Sequence, residues 1–170
     1  MALSMLLIYA SYAFHELLRE QQLIMRAGLV LATAWYFALA FGLANAAHDQ
    51  TRFDNYLAAA IAGDLQRQGF KPHDKLAFDG TQARSPSAEN ASRSKLIARI
   101  LQMNMNGNSE WGFRLLESFG LESTPVMDAD EEALKSSCGE PPVAQAHLYQ
   151  MFRKDQFFTV SFPGGVCFRP

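Results

Sequence analysis

From Ala27 to Ala47 the chain reads AGLVLATAWYFALAFGLANAA, without a single charged side chain. An α-helix rises about 1.5 Å per residue, so roughly 20 residues cross a hydrocarbon core of about 30 Å. This run meets that length. Trp35 and Tyr36 fall near its middle, a placement that suits packing against another helix better than anchoring at an interface. Gly28, Gly42 and the interspersed alanines agree, since small residues let membrane helices approach closely. The competing reading is a buried helix of a soluble protein.

The remainder of the 170 residues divides around this run. The mean hydropathy of -0.07 averages two unlike parts. Before His48 only Glu16, Arg19, Glu20 and Arg26 are charged, whereas the chain after it has an ordinary globular composition. Residues 1–14 are apolar but too short to cross a bilayer, and they lack the basic start and small-residue cleavage site of a secretory signal. They read as the end of another membrane helix, with Met1 an internal methionine of a longer reading frame. The expected organisation is a membrane segment over 1–47, comprising a partial helix 1–14, a short loop 15–26 and a transmembrane helix 27–47. A domain over 48–170 follows. Arg19 and Arg26 place the loop in the cytoplasm by the positive-inside rule, which puts everything after Ala47 on the other side.

His48 to Gln68 predicts a helix whose apolar face is Phe53, Tyr56, Leu57, Ala60, Ile61 and Leu65. Gly69 stops it, with Phe70 set over Leu65 and Pro72 forbidding continuation. Lys75–Asp79 alternates and reads as a strand ending at Gly80. Thr81–Ser94 reads as a loop with one helical turn, and Leu101–Met105 as a second strand. A helix is expected over Ser109–Phe119, with Trp111, Leu115, Leu116 and Phe119 inward and the same Gly-Leu stop at Gly120 and Leu121. Pro125–Met127 reads as a third strand, Asp128–Ser137 as a helix with an acidic first turn. His147–Phe152 and Phe157–Phe162 form a hairpin through Arg153–Gln156, and Val166–Phe168 adds an edge strand. The fold class is therefore α/β, with N-terminal transmembrane helices followed by a small mixed-sheet domain that ends in an antiparallel hairpin.

Chemistry is sparse. A formal net charge of -2 and scattered basic residues argue against a nucleic-acid partner. Cys138 and Cys167 fit no zinc spacing, and they are either a disulfide or two separate buried thiols. Asp128-Ala129-Asp130 could hold a divalent ion through oxygen, or simply open an acidic helix. His15, His48, His73 and His147 are dispersed, and Arg19 stands where a His-Glu-x-x-His frame started by His15 would need its second ligand. Asn90-Ala91-Ser92 matches a glycosylation acceptor and reads as chance. His48, Asp49 and Asp54 would form a solvated polar collar or meet a headgroup or substrate. Glu110 and Trp111 could contact a glycan, the indole face stacking on a sugar ring; the alternative places Trp111 in the core. No nucleophile elbow or phosphate loop is present in the sequence, so no catalytic residue is assigned and no cofactor is expected.

The order of features resembles the C-terminal end of the type II Gtr family, bacterial membrane glucosyltransferases that modify O-antigen. The resemblance runs from about Ala27 onward: a last span, the juxtamembrane LANAAHDQTRFDNYLAAAIAGDLQRQGF, a strand ending in Gly80, the Trp-containing NSEWGFRLLESFGL and a hairpin. Its best points are Asn45, Asp64-Leu65 and Glu110-Trp111-Gly112. It implies a bacterial inner-membrane enzyme that takes glucose from a polyprenyl-phosphate donor, with 48–170 in the periplasm. Catalytic acids would then lie in an extracytoplasmic loop outside this chain, and this domain would cover the cavity or hold the acceptor glycan. The implied partners are membrane lipid, the polyprenyl-linked sugar and the O-antigen. The alternative is a membrane-anchored periplasmic binding domain without catalysis.

Overall fold

The computed structural model describes residues 8–13, 22–101, 105, 110–126 and 131–169. Residues 8–13 are helical. The chain divides into two compact units, Met1–Ala44 and Asn45–Pro170. Helix α1 is a single element of 46 residues, Gln22–Arg67. The expected loop 15–26 therefore gives up its last five residues to the helix, and 15–21 lie outside the described residues. The absence of proline from Gln22 to Arg67 removes the strongest reason for a break there. In its first half, Leu29, Val30, Leu31, Trp35, Phe37 and Phe41 are at least half exposed. This helix is long and apolar enough to cross a membrane.

The second unit begins with the other half of α1. Its buried stripe is Ala46, Gln50, Asp54, Leu57, Ala58, Ile61, Ala62 and Leu65, recurring at three- and four-residue steps. Tyr56, expected on this face, is instead exposed. The helix stops as its sequence demands: Phe70 N–H donates to Leu65 O at 3.0 Å and Gly69 N–H to Gln66 O at 3.0 Å. This is the paired Schellman pattern.

Five strands form one mixed sheet in the order β2-β1-β5-β4-β3: β1 Lys75–Asp79, β2 Thr124–Pro125, β3 Ala144–Gln145, β4 Gln150–Lys154 and β5 Phe157–Ser161. β1 is parallel to β2 and β5, while β4 is antiparallel to β3 and β5. The hairpin turn is only Asp155 and Gln156, shorter than the expected Arg153–Gln156. Asp155 takes a φ of 54°, the left-handed conformation such tight turns require and aspartate tolerates.

Among the described residues the unit also holds helices α2 Pro86–Ala91, α3 Lys95–Ile100, α4 Glu110–Glu117 and α5 Glu131–Ser137. The strand expected at Leu101–Met105 is corrected here. Its described residues Leu101 and Met105 are not in a strand, α3 fills the preceding stretch, and residues 102–104 lie outside the described ones. The edge strand expected at 166–168 is absent, and those residues bend over the sheet instead. The short strand β2 starts one residue earlier than expected, and Met127 lies outside the described residues. The loop expected before Ser94 contains α2, capped by Ser85, whose hydroxyl accepts from Ala88 N–H.

Both sheet faces are covered because both are apolar. One face presents Leu76, Phe78, Met151, Phe158 and Val160 to Leu57, Ile61 and Leu65 of α1 and to Phe113 and Leu116 of α4. Phe78 and Phe113 meet with ring centroids 4.7 Å apart. The other face offers Ala77 and Phe152 to Leu134, Cys138 and Cys167.

Candidate functional site

Helix α4 carries the residues the sequence singled out for a glycan. Its inner face keeps the expected Leu116, with Leu115 part-buried beside it, and adds Gly112 and Phe113, whereas Trp111 is 63% exposed and Phe119 37%. The core reading of Trp111 is thus overturned. Trp111 lies on the outer side, with the Arg114 guanidinium 5.9 Å from its ring centroid. Arg114 also reaches Glu110 at 3.3 Å. The result is an exposed indole, guanidinium and carboxylate on one helical face. This group has the components of a sugar contact, a flat apolar ring flanked by donors and an acceptor. Replacing Trp111 with alanine is expected to change stability by less than about 0.5 kcal/mol, since the side chain is largely outside the core. Pulse proteolysis of the full chain in detergent across a urea series checks this.

Asp54 is the residue that a sequence reading misplaces. The expected solvated collar does not include it, because its side chain is almost completely buried. Its Oδ1 accepts from Gln50 Nε2 at 2.7 Å and from Gln82 Nε2 at 2.6 Å. Gln50 Oε1 in turn accepts Ser85 N–H at 2.8 Å. Burial without such partners would be expensive, so the amides are what make the position tolerable. The network fastens the start of α2 to α1. The available signal was positional: Ala46, Gln50 and Asp54 extend the Leu57–Ile61–Leu65 stripe backward in steps of four or three. Of the other two collar residues, His48 is exposed and Asp49 half-buried.

A second carboxylate, Asp64, accepts Tyr149 Oη–H at 2.5 Å and pairs with Arg67 at 2.6 Å. Burial first, then the hydrogen bond to Asp64 and its negative charge, raise the Tyr149 pKa well above the ordinary value of 10.0. Tyrosine is neutral when protonated, so this raised value favours the protonated fold. Its contribution is complete below about pH 10 and is lost as pH rises toward the higher folded value. Tyr149→Phe is expected to destabilise by about 1.5–3 kcal/mol at pH 7, the range for a hydrogen bond to a charged group. It should also flatten the decline above pH 10, as read by urea midpoints at pH 7 and 10.5.

A third carboxylate, Asp79, is buried at the end of β1. It accepts Ser161 Oγ–H at 2.7 Å, Val166 N–H at 3.0 Å and Cys167 N–H at 2.8 Å. Close by, Cys138 and Cys167 are joined in a disulfide with Cα atoms 5.4 Å apart. Arg169 adds a bond from its guanidinium to Cys138 O at 2.6 Å. Residues 162–169 are therefore strapped across one end of the sheet.

Among the described residues, no group of three or more His, Cys, Asp or Glu comes together as a metal site. Asp128 and Asp130, like His15, lie outside the described residues. His73 and His147 are exposed on separate loops. Comparison with protein-family models, with curated proteins and with solved structures gives no match.

Proposed function

We propose that residues 27–47 cross a bacterial inner membrane and that residues 48–170 act in the periplasm. In this reading the domain is the C-terminal part of an integral-membrane glucosyltransferase, which moves glucose from a polyprenyl-phosphate donor to O-antigen or another surface polysaccharide. The observation that carries the anchoring is α1 itself. Its first half exposes Leu29, Val30, Leu31, Trp35, Phe37 and Phe41, which no described part of the chain covers. A bilayer would remove that apolar surface from water. The disulfide supports an oxidising compartment for the second unit. The exposed Trp111, Arg114 and Glu110 supply the surface that would hold the acceptor glycan.

A second reading, an anchored binding domain without catalysis, is favoured by a different observation. The buried carboxylates Asp54 and Asp79 and the half-buried Asp64 are each engaged in hydrogen bonds that hold the fold. Two experiments separate the readings. Alkaline phosphatase fused after Arg169 is active if the domain is periplasmic; an inactive fusion of an inserted chain overturns the orientation. Mass spectrometry of O-antigen from source cells carrying Trp111→Ala then tests the transfer. A several-fold drop in glucosylation with a stable protein supports the enzyme. Unchanged glucosylation after removal of residues 48–170 leaves the binding domain.

A further inference from the structure

The register of the sheet lines up side chains in rows across the α5 face. One row is Gln150, Ser161 and Asp79, under the 162–169 strap. The next is Phe152, Thr159 and Ala77, under α5. The third is Lys154, Phe157 and Lys75. Directly paired residues of neighbouring strands project to the same side, so two ammonium groups flank one phenyl ring. Strand spacing of about 4.8 Å puts their Cα atoms roughly 10 Å apart.

This third row is not roofed. A cavity of about 310 Å³ opens over it, bounded by Lys75, Lys154 and Phe157, by Asp155 and Gln156 of the hairpin turn, and by the last turn of α5. At its back Ser137 is almost fully buried, its Oγ 2.9 Å from Thr159 Oγ1. Among the described residues, neither Lys75 nor Lys154 is in an ion pair. Two like charges thus face one cavity, and among the described residues that line it Asp155 is the carboxylate that offsets them. The two lysines stand on the strands either side of β5, so both ammonium groups can reach one occupant of the cavity.

We propose that this cavity binds a small phosphate ester that carries hydroxyl groups. Lys75 and Lys154 hold the phosphate oxygens, to which ammonium groups make charge-assisted bonds. Gln156 meets the hydroxyls of the ligand, and Phe157 forms the floor. Asp155 and the carbonyl end of α5 disfavour a bare polyanion, so a single phosphate on a polyol fits best. The same chemistry occurs in a free sugar phosphate and in a glycerophospholipid headgroup. The proposal rests on the sheet register and the cavity, independently of the glucosyltransferase reading.

The test uses the full chain in nanodiscs, with the amide signals of Gln156 and Phe157 followed by NMR. In phosphatidylcholine discs, saturable shifts on titration with glucose 1-phosphate identify a free ester. Shifts on exchanging phosphatidylcholine for phosphatidylglycerol, with nothing added, identify a headgroup. In either case Lys75→Gln combined with Lys154→Gln should weaken the response at least about tenfold, the scale of one lost charge-assisted bond. Lys95→Gln, an exposed lysine on α3, should leave it unchanged. Absence of shifts with both probes, or shifts that persist in the double variant, overturns the site. Neither result bears on O-antigen transfer.

Discussion

Asp79→Ala is expected to destabilise the domain by about 3–5 kcal/mol. The carboxylate accepts three donors from beyond its own strand: the Ser161 hydroxyl and the amides of Val166 and Cys167. Truncation strands all three in a buried setting, and a buried donor that loses its acceptor costs about 1–3 kcal/mol. A Cβ on Gly165 would lie 2.6 Å from Asp79 Oδ2, so the strap already touches the carboxylate with bare backbone. Asp79→Asn keeps one oxygen acceptor and should cost roughly half as much. Pulse proteolysis in urea on the full chain reads both. A cost for Asp79→Ala below about 1 kcal/mol would mean the strap is held by other contacts.

Removing the disulfide is the second large effect. Cys138 and Cys167 are 29 positions apart, and closing a loop of that size restricts the unfolded chain by about 3.6 kcal/mol. Cys138→Ala with Cys167→Ala should lose about 2–4 kcal/mol, and wild-type protein treated with a thiol reductant should fall to a similar midpoint. Maleimide labelling gives an independent readout: wild-type cysteines should react only after reduction. Labelling of freshly extracted, unreduced protein would show open thiols in the cell and weaken the case for an oxidising compartment. The Asp79 and cysteine effects should not add, because both act on residues 162–169.

Local signals in the sequence were legible where one residue type decides the outcome. Gly69 with Phe70 and Gly120 with Leu121 end α1 and α4 by the same pair of hydrogen bonds, because glycine alone enters that conformation freely. The alternation of Phe158 and Val160 with Thr159 and Ser161 likewise marked β5. Phase was harder. On α4 the expected Leu115 and Leu116 do face the core, but Trp111 with Phe119 lies at one edge of the apolar arc and Phe113 with Leu116 at the other. Contact with Phe78 selects the second. Alternation over Leu101–Met105 was too short to tell a strand from the end of a helix. The buried carboxylates were least visible. Asp54 depends on Gln82, 28 positions away, and Asp79 on Cys167, 88 positions away, and no window of sequence holds either pair. For the candidate glycan surface, the residues Glu110 and Trp111 could be named from sequence, whereas the exposure of the indole required the phase of α4.

The place of β5 in the sheet has a consequence for biogenesis. It is the central strand of five, yet it comes last in sequence, and Lys75 must wait for Phe157 before the parallel pair can close. Contacts of such long separation form slowly, since the loop must be closed before any pairing rewards it. A growing chain therefore holds β1 without its main neighbour until Phe157–Ser161 has emerged. If the chain is exported as it is made, this delay keeps it threadable. It also leaves an intermediate stalled before Phe157 with an open sheet edge, a ready substrate for chaperones and proteases.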